Sequence, residues 1–223
     1  FDGDADRVGL VAENGRYIST LEGFSLLAHH LLERRAQRGP VVSTITMSSM
    51  VDKLGRAYDV ETPRTAVGFK YVGPNMLEAD AVIGGEESGG YAFRGHVPER
   101  DGLLSGLVFL EAMVLSGKHP SELLSELFSV TGPHSYRRID VNFHEDRRTE
   151  LQRLIDTAEP GSLGGFDIER SDRMDGVKFF LDSGGWAIVR MSGTEPLLRM
   201  YAEAADTGSV DRILADLTAI LGL

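Results

Sequence analysis

From Val41 onward, short β-branched runs alternate with segments of helical period, and this alternation constrains the fold more than any other feature of the chain. Val41 to Ile45 reads as a strand, Met50 to Ala57 as a short helix, Asp59 to Glu61 as a second strand, and Phe69 to Leu77 as a helix. Ala81 to Ile83 reads as a buried strand that runs straight into the glycine-rich stretch Gly84 to Gly90. Tyr91 to Phe93 returns, and Asp101 to Leu115 forms a long apolar helix. Strands separated by helices imply crossover connections. The expected fold class is therefore α/β, a mixed, mainly parallel αβα domain, and ligands gather at the carboxyl ends of such strands.

The flanks differ. Arg7 to Ala12 is apolar and β-branched enough for a strand, Asn14-Gly15 is a hairpin turn that tolerates positive φ, and Tyr17-Ile18 returns. Thr20 can cap a helix carrying Phe24, Leu27 and Leu31, with Arg34, Arg35 and Arg38 in its last turn and Gly39-Pro40 as its stop. His29 and His30 are adjacent, point to different faces, and read as helix-surface histidines rather than metal ligands. A short helix from Glu122 to Phe128 precedes Gly132-Pro133, a plausible linker. Beyond it lie a strand (Tyr136 to Phe143), a helix (Asp146 to Thr157) and a hairpin of Val177–Leu181 with Trp186–Met191. A further strand (Leu197 to Ala202) and a closing helix (Val210 to Leu221) complete a small α+β C-terminal domain with its own core.

An apolar fraction of 42% over 223 residues is enough for more than one small core. No apolar run is long enough to span a bilayer. The absence of cysteine removes disulfides, thiolate metal sites and cysteine nucleophiles. A net charge of -11 argues against a nucleic-acid partner. The expectation is a cytoplasmic protein with no membrane or nucleic-acid partner. The chain opens at Phe1, one residue before its most chemical motif, without the strand that would position it. That suggests the C-terminal portion of a longer protein.

The motif is Asp2-Gly-Asp4-Ala-Asp6-Arg7. Alternate residues of a looped chain project to one side, so Asp2, Asp4 and Asp6 can converge on a hard divalent cation. Arg7 beside that cation suggests an anion, as in phosphoryl transfer. An acidic surface turn is the plain alternative. A calcium hand matches at Asp2, Asp4, Asp6 and Glu13 but lacks its glycine at the position of Arg7 and its following helix. Asp4-Ala-Asp6-Arg7-Val8 fits the pattern of haloacid-dehalogenase-type phosphatases, although Asp2 and Gly3 stand where an apolar strand should run.

Three further stretches carry chemistry. Glu86 and Ser88 alternate between two glycine pairs and could accept hydrogen bonds from sugar hydroxyls; an ordinary flexible loop fits equally. Lys70 stands at a predicted helix start, where an anion would make use of it, or where it is simply solvated. Arg190, Ser192, Gly193 and Thr194 join two apolar strands and offer a guanidinium fork, two hydroxyls and a backbone nest, which together suit a phosphate.

Together these motifs resemble the α-D-phosphohexomutase family of phosphoglucomutases and phosphomannomutases. Asp2 to Arg7 is similar to its magnesium loop, Gly68 to Tyr71 to its third-domain phosphate and acid–base segment, Gly85 to Gly90 to its sugar-recognition loop, and Arg190 to Pro196 to its fourth-domain phosphate loop. The resemblance implies a tail of domain 2 with the metal loop (1–38), a sugar-recognition domain 3 (39–133) and a phosphate-binding domain 4 (134–223). It also implies Mg2+ on Asp2, Asp4 and Asp6, and catalytic or acid–base work at Arg7 and Lys70. Glu86 and Ser88 would meet the sugar; Arg190, Ser192, Gly193 and Thr194 would meet a phosphate. The implied reaction interconverts hexose 1- and 6-phosphates of glucose or mannose through a phosphoserine and a hexose 1,6-bisphosphate. The family's Ser-His-Asn-Pro-like nucleophile stretch is absent; Ser135 follows a histidine but is succeeded by Tyr136 and Arg137. The missing N-terminal domains of the same protein are thus an expected partner, and the chain alone is expected to be nearly inactive.

Overall fold

The computed structural model describes residues 1–193 and 195–223. Two compact units divide between Gly132 and Pro133.

In the first unit, β1 (Leu10–Val11) and β2 (Tyr17–Ile18) form the antiparallel hairpin that Asn14-Gly15 predicts. α1 (Thr20–Glu33) is capped by Ser19, not Thr20: the Glu22 N–H donates to the Ser19 hydroxyl, and the Ser19 N–H donates back to the Glu22 carboxylate. The alternating region gives β3 (Val41–Thr44), α2 (Met50–Tyr58), β4 (Arg64–Thr65) and α3 (Phe69–Glu78). β5 (Ile83–Gly85), β6 (Tyr91–Phe93), α4 (Gly102–Ser116) and α5 (Pro120–Thr131) follow. The expected strand at Asp59 to Glu61 is displaced to β4, because Asp59 closes α2 in a left-handed conformation (φ 54°) and the chain cannot extend until it has turned.

The sheet order is β4-β3-β5-β6, with β3 parallel to β4 and β5, and β6 antiparallel to β5. Val42, Phe69, Val72, Met76, Ala81 and Ala92 build the core between α3 and the sheet. On the other face α1 packs among α2, α4 and α5, with Phe24 against Tyr91 at 5.5 Å. That enclosure buries His29 and His30, which are 3% and 1% exposed, against the expectation of surface histidines. Glycine in β5 is set by the same layers. A Cβ on Gly84 would lie 2.1 Å from the Met76 sulfur, and one on Gly85 2.5 Å from the Phe24 ring.

The second unit contains β7 (Ser135–Asn142), a 3-10 turn at Glu145–Arg147, α6 (Arg148–Thr157), β8 (Ser162–Leu163) and β9 (Phe166–Asp172). It continues with β10 (Val177–Leu181), β11 (Trp186–Met191), β12 (Leu197–Ala204) and α7 (Thr207–Ile220). All neighbours in the sheet, order β7-β12-β11-β10-β9-β8, are antiparallel. One face, with Phe179, Val189, Leu198 and Met200, packs on Ile155 of α6 and Ile213, Leu214 and Leu217 of α7. The other buries polar groups: the Trp186 indole donates to Glu203 at 2.9 Å, His134 meets the same oxygen at 3.1 Å, and Lys178 lies 4.2 Å from the Trp186 ring centroid. No helix among the described residues is long and apolar enough to cross a membrane.

Candidate functional site

The aspartate loop folds back on itself. The Ala5 N–H donates to the Asp2 carbonyl, and Ala5 takes a positive φ of 59°. That turn brings one carboxylate oxygen each of Asp2, Asp4 and Asp6 within 4.8 Å of one another. The donors suit a hard cation: all are carboxylate oxygens, and Asp6 Oδ1 is buried with no hydrogen-bond partner. Burial pushes the Asp6 carboxyl above its ordinary range; Arg100 opposes this, and Asp4 and Asp2 add to it. Arg7 turns back into the loop, with its Nε 2.5 Å from Asp2 and 3.5 Å from Asp6. Glu13, which a calcium hand would need, instead accepts from the Ser121 backbone N–H at 3.2 Å and from its hydroxyl.

At the carboxyl end of β5 the chain makes a tight loop. The Glu86 N–H donates to the Gly90 carbonyl and the Gly89 N–H to the Glu86 carbonyl, both at 3.1 Å. Thr20 donates its hydroxyl to the Glu87 carbonyl at 2.5 Å, and the Val8 N–H donates to the Gly89 carbonyl at 3.1 Å. Within this frame Glu86 is buried and Ser88 exposed, joined by a bond from the Ser88 hydroxyl to Glu86 Oε1 at 3.2 Å. The two residues therefore do meet, as their alternation suggested. Burial pushes the Glu86 carboxyl up, and Arg100 pulls it back.

Arg100 escaped the sequence reading. Its guanidinium lies 2.9 Å from Asp6 and 3.3 Å from Glu86, and 5.9 Å from the centroid of the Phe69 ring at the start of α3. It ties the metal-loop candidate to the sugar-loop candidate. The only sequence signal was the charged triplet Glu99-Arg100-Asp101 ahead of an apolar helix. Lys70, on the exposed first turn of α3, lies over the Tyr71 ring at 4.9 Å and makes no ion pair among the described residues.

In the second unit Arg190 lies within β11 rather than in the loop beyond it. Its Nε and Nη2 donate to the two carboxylate oxygens of Asp175 at 3.2 and 3.1 Å. Ser192 is buried; its N–H donates to the Leu197 carbonyl, and its hydroxyl accepts from the Glu195 N–H at 3.3 Å. Gly193 does not take the left-handed conformation in which a nest alternates, and a Cβ there would meet nothing within 4 Å. Thr194 lies outside the described residues. Arg148, also missed, donates to the carbonyls of Ser192 (3.4 Å) and Glu195 (3.2 Å). A groove of about 810 Å³ opens beside this loop, lined by Arg148, Thr149, Gln152, Met191, Ser192 and Gly193.

Two family models match the chain: phosphoglucomutase/phosphomannomutase alpha/beta/alpha domain III over residues 22–130, and the C-terminal domain of the same family over 145–220. A phosphoglucomutase/phosphomannomutase of Thermococcus kodakarensis is 37% identical over 203 residues, 91% of this chain and 42% of the relative. A phosphoglucosamine mutase of Halorhodospira halophila is 34% identical over 99% of this chain and 44% of its own length. The chain thus spans less than half the length of these relatives. Among solved structures, a Thermus thermophilus protein described as a phosphomannomutase superposes with a TM-score of 0.83 at 32% identity, covering 100% of this chain and 45% of that one. Aspergillus fumigatus N-acetylphosphoglucosamine mutase, in complex with GlcNAc-6P and magnesium, shares the fold at a TM-score of 0.65 and 16% identity, over 99% of this chain and 51% of its own. On the match of both family models, the chain belongs to the phosphoglucomutase/phosphomannomutase family.

Proposed function

We propose that this chain contributes the metal, sugar and distal phosphate sites of a phosphohexomutase that moves a phosphoryl group between the 1- and 6-positions of glucose or mannose phosphate. The observation that carries the reading is the Arg100 bridge between Asp6 of the aspartate cluster and Glu86 of the glycine-framed loop. It makes cation donors and hydroxyl acceptors neighbours in one unit, as a reaction at a sugar hydroxyl needs.

Asp2, Asp4 and Asp6 would hold Mg2+, which when bound supplies positive charge beside the transferring phosphoryl oxygens. Arg7, 46% exposed at its side chain, can leave Asp2 for an incoming phosphate. Glu86 and Ser88 would accept from and donate to two sugar hydroxyls. Lys70, exposed on the first turn of α3, would meet a phosphate or serve in acid–base work. Arg190, Ser192, Gly193 and Thr194 would hold the phosphate that is not being transferred. The nucleophilic phosphoserine would come from the same protein's upstream domains, with residues 1–38, 39–133 and 134–223 as the tail of domain 2, domain 3 and domain 4.

Calorimetric titration tests this reading. Mg2+ should bind and be lost in Asp4→Asn; glucose or mannose 6-phosphate should bind and be lost in Arg190→Ala. Strong calcium preference with no sugar-phosphate binding would support a calcium module instead. Release of inorganic phosphate from the sugar would support a phosphatase using Asp4. Tighter binding of glucosamine 6-phosphate would overturn the choice of sugar.

A further inference from the structure

Asp175 sits in the turn between β9 and β10, followed by Gly176 at φ +77°. A Cβ on Gly176 would lie 2.2 Å from the Val189 carbonyl oxygen and 2.8 Å from the Arg190 Cβ. The turn is therefore pressed against β11 with no room for a side chain, and this contact fixes where the Asp175 carboxylate can stand. From there it takes Arg190 side-on through Nε and Nη2, with the two side chains only 22% and 12% exposed.

We propose that Asp175 is a positioning residue for phosphate recognition by Arg190. The inference rests on the reading of Arg190 as a phosphate ligand. A guanidinium has five N–H donors on a rigid plane. Two go to Asp175, and the Tyr201 hydroxyl of the adjacent strand bonds the same group. These bonds hold the plane of the guanidinium in place, so an arriving phosphate does not have to order a long flexible side chain. The carboxylate also offsets the arginine's charge. The phosphate is then recognised through direction more than through net charge, which suits an anion that must leave between two half-reactions.

The test titrates the chain with inorganic phosphate, reading affinity and the Arg190 Nε–H resonance by nitrogen-edited NMR. Thermal midpoints are recorded alongside, since a merely structural role would move only those. Asp175→Ala should weaken phosphate by roughly tenfold, the scale of one charge-assisted bond, and collapse the distinct Nε–H signal into the solvent-exposed arginine envelope. Asp175→Asn, which keeps one acceptor, should fall between it and the parent. If Arg190→Ala binds phosphate like the parent, the phosphate reading itself is wrong. If Arg190→Ala loses binding while both Asp175 variants bind as well as the parent or better, Asp175 is no brace. Should Asp175→Ala fail to fold, the Asn variant alone decides on the same criterion.

Discussion

Replacing Arg100 by methionine removes the charge that joins Asp6 to Glu86 while keeping the aliphatic stem. The stem matters, because Arg100 Cδ and Cγ pass so close to Gly90 that a Cβ there would meet them at 2.3 and 2.6 Å. Exposed ion pairs contribute about 0.2–1 kcal/mol, whereas removing one partner of a buried pair costs roughly 3–5 kcal/mol. This bridge lies between those limits. Arg100 is 32% exposed, Asp6 21% and Glu86 8%, so the loss should be about 2 kcal/mol near neutral pH. The pH dependence carries the sharper signature. Burial pushes the Glu86 carboxyl above its ordinary 4.5, so the folded state takes up a proton on Glu86 more readily than the unfolded state does. Stability from this group therefore falls as pH rises through the ordinary value toward the folded one. The service Arg100 renders is needed only where Glu86 is ionised. The Arg100→Met penalty should thus be largest at pH 7.5 and shrink toward pH 5. Urea unfolding followed by circular dichroism measures it. An equal penalty at both pH values would refute the reasoning.

Other outcomes follow from the same geometry. Asp4→Asn should lower Mg2+ affinity by at least about tenfold in calorimetry, with an unchanged circular dichroism spectrum because Asp4 is exposed. Burial pushes both His29 and His30 below the ordinary 6.5, so the unfolded chain binds protons that the folded one resists. Stability should be whole above pH 6.5 and decline below it, and His29→Gln should flatten the decline in urea midpoints taken between pH 7.5 and 5.5. Gly85→Ala places a methyl 2.5 Å from the Phe24 ring and should cost about 2 kcal/mol, read as a lowered thermal midpoint.

The sequence was most legible where structure is local. Asn14-Gly15 dictated a hairpin, and the apolar periods of α3, α4 and α7 placed those helices to within a few residues. It was least legible where the partner decides. His29 and His30 are polar, yet they are buried because α1 is enclosed by other helices, which no feature of the helix itself announces. β8 was missed because it is only two residues long, and β9 because only Phe166 and Ile168 mark the inward face of a largely exposed strand. The candidate site divides the same way. Three carboxylates in six residues and the glycine pairs around Glu86 can be read from the chain directly. Arg100, Arg148 and Asp175 became visible only through the residues they meet, and those lie 14 to 94 positions away.

The loop at the end of β5 is cross-tied by its own backbone and pinned from outside by Thr20 and Val8. A surface so anchored has little to gain from induced fit. As the sugar-recognition surface proposed above, it would meet its ligand already shaped, and the choice among epimeric hexoses would then depend on the reach of Glu86, Glu87 and Ser88 rather than on loop movement. Sugar preference in such a scaffold should drift through substitutions at Glu86, Glu87 or Ser88 alone, with the surrounding frame left intact.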